Sequence, residues 1–193
     1  VGNEANHNGE DIPEINLGIN VVATQNAHEL DSFDKNYDKN AWTSGMMVYN
    51  ENDLAAALAN GDNAILANDI TITETIVIPA SASTSYSRRA VGSTVNLNGK
   101  KIVANSSTYA FNNLGVVTFV DTVGTGSITA RGMYNGYGNG SANVTTAKMT
   151  VVNGVYNAIG ENGGAAIFNY GNVVIEDGTF TSLGSYSLNN QNT

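Results

Sequence analysis

From Ala64 onward the chain is a succession of short runs in which apolar and polar residues alternate, broken by Gly, Asn or Asp. Ile70, Ile72, Ile76, Ile78, Val95 and Leu97 fall two apart within their runs, a spacing that predicts strands burying one face. Four segments share one shape: STVNLNGKKIVA (Ser93–Ala104), FVDTVGTGSITA (Phe119–Ala130), MTVVNGVYNA (Met149–Ala158) and NVVIEDGTFTS (Asn172–Ser182). Aligned on Gly99, Gly126, Gly154 and Gly178 they recur at intervals of 27, 28 and 24 residues. Each reads as a strand, a tight turn and a strand, too small to bury its own apolar face. Periods in this range predict stacked repeats in place of one folded globule. Asn68, Asn98 and Asn153 fall at the turns, where Asn tolerates left-handed backbone and reaches its neighbour in the next coil. The alignment also sets Val155 beside Thr179 and Tyr156 beside Phe180, predicting an aromatic stack along one face.

Before the repeats, ENDLAAALAN (Glu51–Asn60) is the one clear helix pattern. Asn50 or Asn52 suits its cap, acids fill the first turn, and Gly61 stops it. Leu54, Ala57 and Leu58 make a narrow apolar stripe, and so short a helix is expected to dock on the open end of the stack. Residues 1–13 read as a flexible polar leader. Residues 14–50 read as a strand, with Ile15, Leu17, Ile19 and Val21 on one side, followed by an irregular loop packed on the solenoid. Ser81–Gly92 and Arg131–Asn143 read as loops leaving the coils, and SYSLNNQNT ends the chain with no second cap. A neighbouring chain, or further residues of a longer natural protein, is expected there.

The succession of helix, ILANDITIT, TIVIPA and TVNLNGKKI resembles the N-terminal cap and first coils of right-handed parallel β-helices of the pectin-lyase-like superfamily. Bacterial surface proteins of adhesin type use that opening. The polar leader followed by EINLGINVVAT is similar to the start of mature fimbrillin-like surface lipoproteins. That resemblance implies a lipid anchor upstream of Val1. Together these imply an all-β fold: a single-stranded, right-handed β-solenoid of about five coils with a short N-terminal capping helix. They also imply an exported protein at the bacterial surface.

Composition narrows the partners. Charged residues make up 13% of the 193, and 17 acids against 8 bases leave a formal charge of −9. A net-negative protein is ill suited to nucleic acid or an anionic membrane. The absence of cysteine removes disulfides and thiolate metal sites. No apolar run approaches the roughly 20 residues of a membrane helix, and no signal peptide is recognised, so a chain beginning at Val1 reads as mature or trimmed.

Candidate chemistry is sparse. Asp34, Asn36, Asp38 and Asn40 follow the rhythm of a calcium loop, but Lys39 and Gly45 stand where such a loop needs Gly and a bidentate Glu, so a solvated loop is the favoured reading. Trp42 reads as packing for that loop. Arg88 and Arg89 are candidate ligand residues for acidic groups, against the commoner reading of a solvated pair. Tyr134 and Tyr137, among four glycines, are candidates for stacking on a sugar or a partner protein, against the favoured reading that they cover the flank of a coil. The G-x-G spacing there is followed by strand, so it is not a dinucleotide fingerprint.

β-Helix hydrolases resemble one another in acidic pairs with Gly-His-Gly and Arg-x-Lys elements. Here His7 and His28 precede the coils, and the coil acids Asp69, Glu74, Asp121, Glu176 and Asp177 include only one adjacent pair, at a turn. Neighbours on a turn do not give the separation of about 5–10 Å that a carboxylate pair needs across a cleft. The expectation is a non-enzymatic adhesin-like protein without cofactor or metal, presenting flat faces and loops to glycan or protein. The alternatives are a phage fibre or capsid-decoration protein, and a degenerate polysaccharide lyase or hydrolase.

Overall fold

A computed structural model describes residues 45–80, 92–160, 164–184 and 186–191. All of these belong to one compact unit, Asp34–Thr193. The leader, the Glu14–Thr24 strand, the Asp34–Asn40 loop, Trp42, Arg88 and Arg89 lie outside the described residues.

The described residues are mostly strand, with one short helix. β1 (Met46–Val48) precedes α1 (Glu51–Asn60), and five triplets of strands follow. The first is β2 (Ala64–Leu66), β3 (Ile70–Ile72) and β4 (Ile76–Ile78); the second is β5 (Ser93–Asn96), β6 (Lys101–Ala104) and β7 (Phe111–Asn113). The third is β8 (Val116–Val120), β9 (Ser127–Ala130) and β10 (Gly132–Asn135). The fourth is β11 (Lys148–Val151), β12 (Val155–Ala158) and β13 (Ala165–Asn169), and the fifth is β14 (Asn172–Ile175), β15 (Thr179–Ser182) and β16 (Leu188–Asn190). The members of each triplet enter three different sheets in turn: β1-β2-β5-β8-β11-β14, β3-β6-β9-β12-β15 and β4-β7-β10-β13-β16. Every recorded pairing is parallel. Each triplet is therefore one tier of a parallel β-solenoid.

The register stacks like on like. Ile70, Ile102, Ile128, Tyr156 and Phe180 form one inward file of the second sheet. Val95, Phe119, Val151 and Ile175 form another in the first sheet. Ile70, Ile72, Ile76, Ile78, Val95 and Leu97 are all buried, as their spacing predicts, and one core draws on all three sheets. Aromatic rings run through it: Phe111 to Phe119 (5.2 Å), Phe119 to Tyr156 (6.4 Å) and Tyr156 stacked on Phe180 (5.0 Å). Burial holds the Tyr156 hydroxyl well above the usual phenol range, with the Asp121 carboxylate adding to the shift; the hydroxyl donates to the Asn153 carbonyl (2.8 Å).

Two elements depart from the sequence reading. The glycine alignment is one residue out at its first member: Ser127, Val155 and Thr179 each follow a glycine and pair with one another, but Ser127 pairs with Lys101, two residues after Gly99. Arg131–Asn143 is not wholly a loop, because Gly132–Asn135 is β10, within the third sheet. Its glycine hides the strand from a propensity reading. At Gly132 (φ 148°) a side chain would run into the Ala165 carbonyl, where the register with β13 shifts. Only glycine fits that approach.

α1 begins where expected. Asn50 accepts from the Asp53 amide (3.0 Å), and Gly61 ends the helix in left-handed conformation. Leu54, Ala57 and Leu58 are buried against β1–β4, and β1, β3 and β4 are the starting edges of the three sheets. The Glu51 carboxylate clamps this contact, accepting from the Thr73 amide (2.8 Å), the Thr73 hydroxyl (2.8 Å) and the Glu74 amide (3.0 Å). The Glu74 amide bond, chiefly, holds its pKa below the usual carboxylate value.

Candidate functional site

The corners between sheets decide which side chains are spent on structure. Between the first and second sheets, Asn98 is left-handed (φ 49°) and donates to the Leu66 carbonyl (3.0 Å). Asn153 brackets Asp121, accepting from its amide (2.6 Å) and donating to its carbonyl (3.0 Å). The buried Asp121 carboxylate accepts from the amides of Gly99 (2.7 Å), Val123 (3.3 Å) and Gly126. An acid so engaged, with three of about four lone-pair sites taken, is a turn clamp. Asp177 accepts from the Gly178 amide, and Asp69 from the Lys101 amide.

At the corner between the third sheet and the next tier runs a ladder the sequence reading did not single out. Asn113, Asn135, Asn169 and Asn190 share one file. Each Nδ2 donates to the Oδ1 of the next, at 2.8, 2.8 and 2.9 Å. Asn113 and Asn169 also accept from the amides of Gly115 and Gly171. The signal was present as an Asn with Gly one or two residues on: Asn-Leu-Gly115, Asn-Gly136, Asn-Tyr-Gly171. Inserts of different length between tiers disguised its period.

Five aromatic side chains gather on the outer face of the third sheet. Tyr134 pairs with Asn112 on one side and Phe168 on the other, alternating outward while Phe111, Met133 and Ile167 are buried. Tyr134 stacks between Tyr109 (centroids 4.1 Å) and Tyr137 (4.3 Å, planes 23° apart). Phe168 (5.4 Å) and Tyr170 (6.3 Å, and 5.7 Å from Tyr137) complete the cluster, and the Arg131 guanidinium lies 5.0 Å from the Tyr109 ring centre. All five rings are half-buried. Burial first, then a hydrogen bond with Tyr109, raises the Tyr134 pKa; burial and the neighbouring tyrosines raise that of Tyr170. These hydroxyls stay protonated at neutral pH as donors and acceptors. Asn112, itself buried, donates to the Tyr137 carbonyl (3.0 Å), but its Oδ1 has no partner, and neither has the buried Nε of Arg131.

Of the residues the sequence put forward, Tyr134 and Tyr137 are thus brought together in a stack. Tyr109, Asn112, Arg131, Phe168 and Tyr170 join them without having been singled out for it, because only the tier register places them side by side. Elsewhere a shallow depression lined by Leu58, Gly61, Ile78, Pro79, Gly92, Ser93 and Val116 holds no ionisable group. Among the described residues no three His, Cys, Asp or Glu come close enough to hold a metal, and no helix is long and apolar enough to cross a membrane. Comparison of the chain with protein-family models, with curated proteins and with solved structures finds no match.

Proposed function

We propose that this is a non-enzymatic, adhesin-like binding protein of the bacterial cell surface, built as a right-handed parallel β-helix. The handedness follows from the general rule for parallel crossovers, which are right-handed in about 98% of cases. The single observation that carries the function is the half-exposed aromatic cluster of Tyr109, Tyr134, Tyr137, Phe168 and Tyr170 on one outer face. Rings with hydroxyl tips combine apolar contact with hydrogen bonding, the mixture favoured at surfaces that hold glycans or other proteins. The coil acids favour the same reading, since Asp121 and Asp69 are engaged with backbone amides. Surface localisation and an upstream lipid anchor belong to this proposal and rest on resemblance alone.

The test is to pass the fluorescently labelled chain over glycan and extracellular-protein arrays, and to incubate it with acidic and neutral polysaccharides. Retention on an array without new unsaturated or reducing ends is the expected result. Release of such ends would put the chain among lyases or hydrolases instead.

A further inference from the structure

We infer that the outer face of the third sheet carries a subsite for an uncharged pyranose unit of an oligosaccharide, formed by the Tyr109–Tyr134–Tyr137 stack with Asn112 and Arg131. This rests on the binding-protein reading above and names the ligand class for the same face. Two independent features meet there. One is the ring stack: the Arg131 guanidinium lies against its Tyr109 end, and at its other end Tyr137 and Tyr170 are 5.7 Å apart and tilted by 39°. The other is a pair of orphaned polar atoms, the acceptor Asn112 Oδ1 and the donor Arg131 Nε. Asn112 is 7% exposed and its amide orientation is fixed by the bond from Nδ2 to the Tyr137 carbonyl, so Oδ1 is the atom left over.

Buried groups without partners are rare in folded proteins, and each asks for a ligand, a water or an ion. Both atoms are closed off from solvent in the unliganded chain, so a side chain above them has to move aside before a sugar hydroxyl, which donates and accepts at once, can serve them; the C–H face of a pyranose then lies on an aromatic ring. The neighbours specify the charge. Tyr134 and Tyr170 hydroxyls are kept protonated, the Arg131 guanidinium is engaged with Tyr109, and the chain carries a net charge of −9. A polyanionic glycan would meet repulsion without a basic counterpart, whereas a neutral one meets donors, acceptors and ring faces. A peptide also offers donors and acceptors, but its flat amides lack the array of hydroxyls, so it is the competing outcome.

The experiment is an NMR titration of the isotope-labelled full chain with cellohexaose, mannohexaose, trigalacturonate and an uncharged hexapeptide. A neutral hexasaccharide is expected to shift the Asn112 side-chain amide and the Tyr109, Tyr134 and Tyr137 ring signals. Tyr137→Ala, at the surface, and Asn112→Val are each expected to weaken binding by about tenfold or more. Thr129→Ala on the second sheet should leave it unchanged. Circular dichroism and melting of each variant separate lost binding from lost fold; if Asn112→Val unfolds, Tyr137→Ala alone decides. Shifts by the same sugars on another face would overturn this subsite and leave the glycan-binding reading standing. Shifts only by trigalacturonate or the hexapeptide would overturn the ligand class, and full binding by Tyr137→Ala would overturn the subsite. Silence with every probe, while the labelled chain still binds a protein array, would overturn the subsite alone; silence on both overturns the subsite and the binding-protein reading together.

Discussion

Asparagine does at the corners of this molecule what hydrophobic residues do in its core. Asn135 is fully buried, receives a bond from Asn113 and gives bonds to Asn169 and to the Asn172 carbonyl. Because each amide has both a donor and an acceptor end, identical residues stack without leaving one unsatisfied. Replacing Asn135 by Ala strands its neighbours' polar atoms in a dry corner, so Asn135→Ala is expected to cost about 2–3 kcal/mol, read as a lower urea midpoint at unchanged slope. Tyr156→Phe removes one hydroxyl bond to the Asn153 carbonyl and keeps the ring between Phe119 and Phe180. About 1 kcal/mol is the expected loss by the same assay. Individual residues were only partly legible beforehand. Asn98 and Asn153 declared themselves by preceding a glycine in a repeated frame, while the Asn113 ladder lay in tiers whose spacing, 22 then 34 residues between Asn113, Asn135 and Asn169, looks random along the chain.

Among the elements, α1 was the most legible and depends most on what it touches. Its cap, its stripe and its stop are local signals, but ten residues do not hold a helix in water. Docking on β1–β4 supplies the rest, and Leu54→Ala is expected to cost about 2–5 kcal/mol, measured by thermal melting. The Glu51 clamp makes that docking pH-dependent. Its folded pKa lies below the unfolded value, so its contribution is complete above the unfolded pKa of about 4.3 and fades as pH falls through the folded one. The melting temperatures of the parent chain and Glu51→Gln should differ at pH 7 and converge in acid; a difference that persists unchanged to pH 2 would remove the clamp from the account. By contrast β10 reads as loop in the sequence, since Gly132 lowers strand propensity at a position where a neighbouring tier comes too close for any side chain.

At the scale of the whole molecule each tier rests on two others, except at the ends. Met149, Val151, Tyr156 and Ile167 in the fourth tier are 0–1% exposed, whereas Ile175 and Leu188 in the fifth are 39% and 46% exposed. Stability in such a stack is a sum of tier and interface terms, so opening starts at the tier that, among the described residues, has a neighbour on one side only. Hydrogen exchange of this chain should release the amides of β14, β15 and β16 first and those of the second to fourth tiers last. Uniform protection across all five tiers would contradict a stack that opens from its edge. The aromatic face belongs to this scale too, for its rings come from three tiers and no two adjacent residues make it.

The sequence by itself determined that the described residues are mostly strand, repeated and in tiers, that one capped helix precedes the repeats, and which aliphatic residues face inward. These follow from alternation, capping and turn chemistry, which act over a few neighbouring residues. Tertiary structure alone decided the rest: the one-residue offset at Gly99, the strand at Gly132, the asparagine ladder, and the meeting of Tyr109, Asn112 and Arg131 with Tyr134 and Tyr137. Those depend on how much chain each corner absorbs before the next tier begins, successive members of the Ile70–Phe180 file being 32, 26, 28 and 24 residues apart. Parallel pairing between tiers fixes that register through backbone hydrogen bonds, which carry no mark in the side-chain pattern.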